Sequence, residues 1–201
     1  GYAGLLAWRA IREQGAASLA LHTAAATAAV FTFFEILPHF PVGVSEVHFI
    51  LGSTLFLLFG AAPAAFGLAL GLLAQGLFFA PFDLPQYGMN LTTLLVPLFA
   101  LDVLARRIVA PGTAYVDLRY GQALALSTAF QAGVVGWVAF WVLYGQGVSI
   151  HTFAQIGTFG VAYMMVVLIE PLVDLAVLAA AKGIRASRGS ALFTRRLHHA
   201  A

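Results

Sequence analysis

The sequence contains no cysteine, which excludes disulfide staples, thiolate-held zinc and iron–sulfur sites, and thiol nucleophiles together. Charge is nearly as scarce. Only 9% of the 201 residues are Asp, Glu, Lys or Arg, against roughly 25% in an ordinary soluble domain. A soluble chain must cover itself with polar groups, whereas a chain solvated by lipid needs them only at its ends and in its interior. No Gly-x-x-x-x-Gly-Lys-Ser/Thr loop is present, so this chain hydrolyses no ATP itself. The N-terminus lacks the charged region and small-residue cleavage site of a signal peptide. A pI near 9.2 invites a nucleic-acid reading. The net charge is only +2, however, no nucleic-acid motif occurs, and the Lys/Arg residues fall at helix ends, where membrane topology explains them better.

What fills the sequence instead is apolar: 61% of the residues, with 17 Phe and 20 Gly. So many glycines would weaken soluble helices, but in a membrane they let helix backbones approach closely. Gly67-x-x-x-Gly71 followed by Gly76 has that pattern. The fold class expected is all-α, a polytopic transmembrane helix bundle solvated by the lipid bilayer.

Residues 1–8 are too few to cross a hydrocarbon core of roughly 30 Å, which needs about 20 helical residues, and read as the tail of an N-terminal helix. Six spans then follow, at about 16–37, 47–60, 63–80, 89–109, 121–144 and 151–180. The second is short, and Gly60-Ala61-Ala62-Pro63 turns tightly into the third. Segments 38–48 and 81–88 are too rich in Pro, Gly and polar groups to lie as lipid-exposed helix. This gives a single transmembrane domain over 1–182 and a basic tail over 183–201.

Threading these spans alternately across the bilayer puts all ten Lys/Arg on one side. The 38–48, 81–88 and 145–150 connections on the other side hold none. By the positive-inside rule the basic side, with the C-terminus, is cytoplasmic, as in a bacterial inner membrane.

The outer side collects His39, Glu46, His48, Asp83, Asn90 and His151. Such a face attracts cations, and neutral imidazole suits Co, Ni, Cu and Zn. His39 and His151 also read as lone loop residues wetted by water. His48 differs, because it sits where a loop re-enters an apolar helix and should point into the protein or a cavity; an ionisable group there is functional by default. Spacing alone does not single out a metal role for it. Glu46 could ligate, orient the imidazole or stand as a rim charge, and Asn90 could cap a helix or support the site. Ser45 and His48, three apart, have no third partner for hydrolysis. Within the spans His22, Glu35, Gln75, Gln131, Glu170 and Asp174 are costly in lipid and should face the bundle. Hydrogen bonding between helices is the first reading for them and a coupling role the second. Trp137, Trp141 and Tyr144 read as interface aromatics without a function of their own.

Three features resemble one known family. A Gly/Ser loop ends in His48 and is followed twelve residues later by the Gly60 of Leu58-Phe59-Gly60. Gln75-x-Leu77-x-Phe79 lies in the next helix, and Gly88-x-Asn90 heads the one after it. The set resembles the CbiM/NikM family, the substrate-binding membrane components of energy-coupling-factor transporters for cobalt and nickel, over nearly the whole chain. The resemblance implies a bundle of about seven helices and a near square-planar nitrogen site for Co(II) or Ni(II) as transported substrate, near the outer surface. His48 would supply one ligand; the amine, amide nitrogen and imidazole of a Met-His start would supply the rest. Glu46 and Asn90 would support the site. The implied partners are a transmembrane coupling subunit, cytoplasmic ATPase subunits and a small membrane subunit.

This sequence has no Met-His start. Either the segment is missing here or the relative has lost the site. A helix entered mid-span at Gly1 would leave unpaired N–H groups at bilayer depth, which favours a missing segment. The expected function is the capture of Co(II) or Ni(II) for an ATP-driven transporter, without enzymatic activity of its own. The alternative is an accessory or structural subunit of a larger membrane complex that keeps the fold without carrying metal.

Overall fold

The computed structural model describes residues 1–37, 40–43 and 45–187. Seven α-helices run through them: α1 (Tyr2–Gln14), α2 (Ala16–Glu35), α3 (Gly52–Phe59), α4 (Ala61–Phe78), α5 (Tyr87–Ile108), α6 (Tyr120–Gln146) and α7 (Ile150–Ser187). The all-α bundle expected from composition is therefore the fold. Five segments, α2, α4, α6, α7 and the stretch Pro81–Ile108 containing α5, are long and apolar enough to cross a membrane. Their outward faces carry large apolar side chains such as Leu70, Val161 and Leu172, as lipid requires.

The span expected over 47–60 is not one helix. Phe40–Val42 (β1) and Ser45–Val47 (β2) form a small antiparallel hairpin that pairs Phe40 with Val47 and Pro41 with Glu46. Gly43 sits at its tip with φ 59°. Residues 48–51 then enter the bundle without helical structure, and α3 supplies only eight helical residues. Non-helical backbone is tolerated at membrane depth only when protein groups satisfy it, and here α7 supplies them. The backbone N–H groups of Ile50 and Leu51 both donate to Oε1 of Glu170, at 2.5 and 3.0 Å. Gly60, at φ 86°, then makes the tight turn into α4 that the sequence predicts.

α4 packs along α2 through the glycine stripe. A Cβ on Gly67 would lie 2.5 Å from the Ala26 Cβ, and one on Gly71 would lie 2.5 Å from Val30 Cγ1, so no larger residue fits this seam without moving a helix. The core lies between these helices and α5–α7, around Phe34, Leu68, Leu98, Phe130 and Phe159.

The two ends of the bundle differ in charge. At the basic end Arg106 pairs with Asp102 at 3.0 Å, Arg185 with Asp117 at 2.5 Å, and Lys182 lies 5.2 Å from the centre of the Tyr120 ring. The Tyr2 hydroxyl donates to Asp102 at 2.7 Å, which anchors the first turn of α1 near this end. Burial, with a contribution from the Asp174 carboxylate, pushes the Tyr115 phenol up to about 12 in the connection between α5 and α6, so it stays neutral there. α7 continues past Lys182 to Ser187. The rest of the basic tail lies outside the described residues.

Candidate functional site

At the end opposite the arginines, a cavity of about 510 Å³ opens between the hairpin, the 3₁₀ turn Pro81–Gln86 and helices α2, α4, α5, α6 and α7. Each wall follows a local rule. The pairing of β2 with β1 sets the direction of Ser45 and Glu46, and the chain delivers His48 to the cavity one residue beyond the strand. Met89, Asn90 and Thr93 line it from the first turns of α5, and Val134, Val138, Trp141 and Val142 from α6. Both sets follow the three- and four-residue spacing of one helix face.

His48 is half-buried, and its ring meets the Phe34 ring edge-on with centroids 4.6 Å apart. A bulky, apolar contact of this kind restricts the imidazole's rotation without competing for its nitrogens. The charged residues on the cavity wall are Glu46 and Asp83, with no Lys or Arg among them. Such a lining draws cations in and repels anions.

The residues singled out from sequence separate into those the fold gathers and those it does not. His48, Glu46, Asn90, Asp83 and Gln75 line the same cavity. Asn90 is not a helix cap: α5 begins at Tyr87 after Gln86, so the side chain of Asn90 projects from the first turn into the cavity. His151 is exposed in the first turn of α7 and does not line it. His22 lies towards the other end, against Phe59, and His39 lies outside the described residues. Among the described residues, no three His, Asp or Glu side chains converge as a ready-made metal site.

Residues 2–188 match the family model described as cobalt uptake substrate-specific transmembrane region, CbiM. The chain belongs to the CbiM family. No curated protein and no solved structure matches it. Membership makes it a transmembrane component of cobalt uptake, and the five apolar segments make it a multi-pass membrane protein.

Sequence reasoning missed two parts of the cavity. Trp141, read as an interface aromatic, forms part of its wall; its spacing from Val134 and Val138 on α6 carried the signal. Tyr163 sits in an unbroken apolar run and is 1% exposed. Nothing in the local sequence marks it, because its importance comes from Gln131, to which its hydroxyl donates at 3.1 Å.

Proposed function

We propose that this chain is the substrate-binding membrane component of an ATP-driven energy-coupling-factor transporter that takes up Co(II) or Ni(II). The observation that carries the reading is the gathering of His48, Glu46 and Asn90 on one acid-lined cavity, at the arginine-free end of a CbiM-family chain. His48 would be a nitrogen ligand to the transported ion. Glu46 would attract the cation and orient groups around it, and Asn90 would hydrogen-bond at the rim. Nitrogen ligation favours Co(II) and Ni(II) over Mg(II). On the family resemblance the remaining nitrogens come from a Met-His start. The hairpin end would face outward and the arginine-rich end the cytoplasm.

Since the chain has no nucleotide-binding loop, transport against a gradient needs ATPase and coupling subunits, with a small membrane subunit as a further partner. Uptake of radioactive cobalt into cells tests the mechanism. Accumulation is expected to disappear when the ATPase subunits are deleted and when His48 is replaced by Ala. Accumulation that persists unchanged without the ATPases would refute the coupled mechanism and favour an accessory role.

A further inference from the structure

His48 belongs to no helix, and its place depends on the hairpin before it, on the Phe34 ring beside it and on whatever fixes residues 50 and 51 after it. Two carboxylates of α7 hold the chain after it. Glu170 and Asp174 are four residues apart and therefore share one helix face, and both are buried, at 0% and 1% exposure. Oε1 of Glu170 accepts the N–H groups of Ile50 and Leu51. One helical turn further along α7, Asp174 accepts the hydroxyls of Ser53 at 2.6 Å and Thr54 at 2.5 Å. The segment that follows His48 is thus held at residues 50, 51, 53 and 54.

Two more observations make this a directed arrangement. Leu51 has φ 52° and ψ 31°, left-handed backbone that a leucine rarely adopts unless its surroundings impose it. The other oxygen of Glu170 takes the amide of Gln131, whose carbonyl accepts the hydroxyl of Tyr163, itself a wall of the cavity. The carboxylate that fixes the His48 segment is therefore also tied to another residue of the cavity wall.

We infer that Glu170, supported by Asp174, is a positioning residue for cation capture, holding the 48–51 segment so that His48 faces the cavity. The inference rests on the proposed role of His48. Neither carboxylate lines the cavity itself, so Glu170 acts through the backbone N–H groups it accepts and Asp174 through the Ser53 and Thr54 hydroxyls at the start of α3.

The test uses the chain, joined to a Met-His-bearing first helix, in lipid nanodiscs with Glu170→Ala, Glu170→Gln and Glu170→Asp, and Gly136→Ala as a control. Three readouts are taken: hydrogen exchange at the Ile50 and Leu51 amides, the rate at which diethyl pyrocarbonate modifies His48, and Co(II) binding. Removing the carboxyl group is expected to speed exchange at these two amides by about tenfold or more while amides in the middle of α6 keep their rates, as local opening requires. The rate at His48 should change with it. Co(II) affinity should fall by about 10–100-fold, the range seen when a group that orients a ligand is lost. Gln keeps an oxygen at the same reach for the Ile50 and Leu51 amides and, with the Gln131 amide turned to present its oxygen and the Tyr163 hydroxyl accepting in turn, should restore all three readouts, whereas the shorter Asp should not. If the Ala variant does not fold, the contrast between Gln and Asp decides. Unchanged exchange, or altered exchange with unchanged His48 reactivity, would overturn the inference. A wild type that binds no Co(II) would count against the proposed function instead, and exchange and modification would still decide the positioning role.

Discussion

The hydroxyl of Thr92 accepts the indole N–H groups of Trp137 and Trp141, each at 3.2 Å, while donating to the Met89 carbonyl at 2.9 Å. One small side chain thereby ties α6 to α5 behind Trp141, which lines the cavity. Thr92→Val keeps the shape but removes the acceptor, and the expected loss of stability is about 1–3 kcal/mol for the donors left unpaired. Thr158→Val, on the exposed face of α7 where the hydroxyl bonds the Ala154 carbonyl of its own helix, should cost less than about 0.5 kcal/mol. Thermal unfolding in nanodiscs, followed by tryptophan fluorescence, distinguishes the two, and equal losses would contradict the interhelical role. At this scale His48, Glu46 and Asn90 were legible because a polar group at the edge of an apolar run is locally conspicuous. Tyr163 and Thr92 were not, since their partners lie 32, 45 and 49 residues away and no local pattern records that pairing.

At the scale of elements, the glycine stripe on α4 reads directly from sequence, and the structure gives it a partner in α2. Gly67→Ala would place a methyl 2.5 Å from the Ala26 Cβ and 2.9 Å from the Ala26 backbone carbon. Backbone cannot swing aside as a side-chain tip can, so the expected cost is about 1–3 kcal/mol. Gly136→Ala, within α6 but with nothing near its Cβ position, should be neutral or stabilising by up to about 1 kcal/mol. A melting comparison that reversed this order would refute the packing of α2 on α4. The segment 47–60 was the element that sequence misread. Its composition is apolar enough for a helix, and what unwinds residues 48–51 is a competing acceptor on α7, 119 and 120 residues distant. Glu170, Asp174 and Gln131 were expected to hydrogen-bond between helices, and they do so. Their shared target, the entry to α3, emerges only when the helices are assembled.

For the whole molecule, no Arg or Lys among the described residues lines the cavity, and Arg106, Lys182 and Arg185 make their contacts at the other end of the bundle. On the proposed function, the positive-inside rule would put the cavity on the outer side. A cysteine placed at Gly147 should react with a membrane-impermeant thiol reagent applied outside intact cells, while one at Gly112 should be protected; the reverse pattern would place the cavity on the cytoplasmic side. The proposed role of His48 is to supply a ligand to the transported ion. It is tested most directly by titrating Co(II) and Ni(II) into the chain joined to a Met-His-bearing first helix, with His48 or with His48→Ala. The expected result is loss of high-affinity binding in the variant, by at least about 100-fold if one of four nitrogens is removed. Glu46→Gln should lose less than His48→Ala, and wild-type affinity should decline as pH is lowered, because imidazole and amine must be unprotonated to bind. Equal affinity with and without the His48 imidazole would contradict the account.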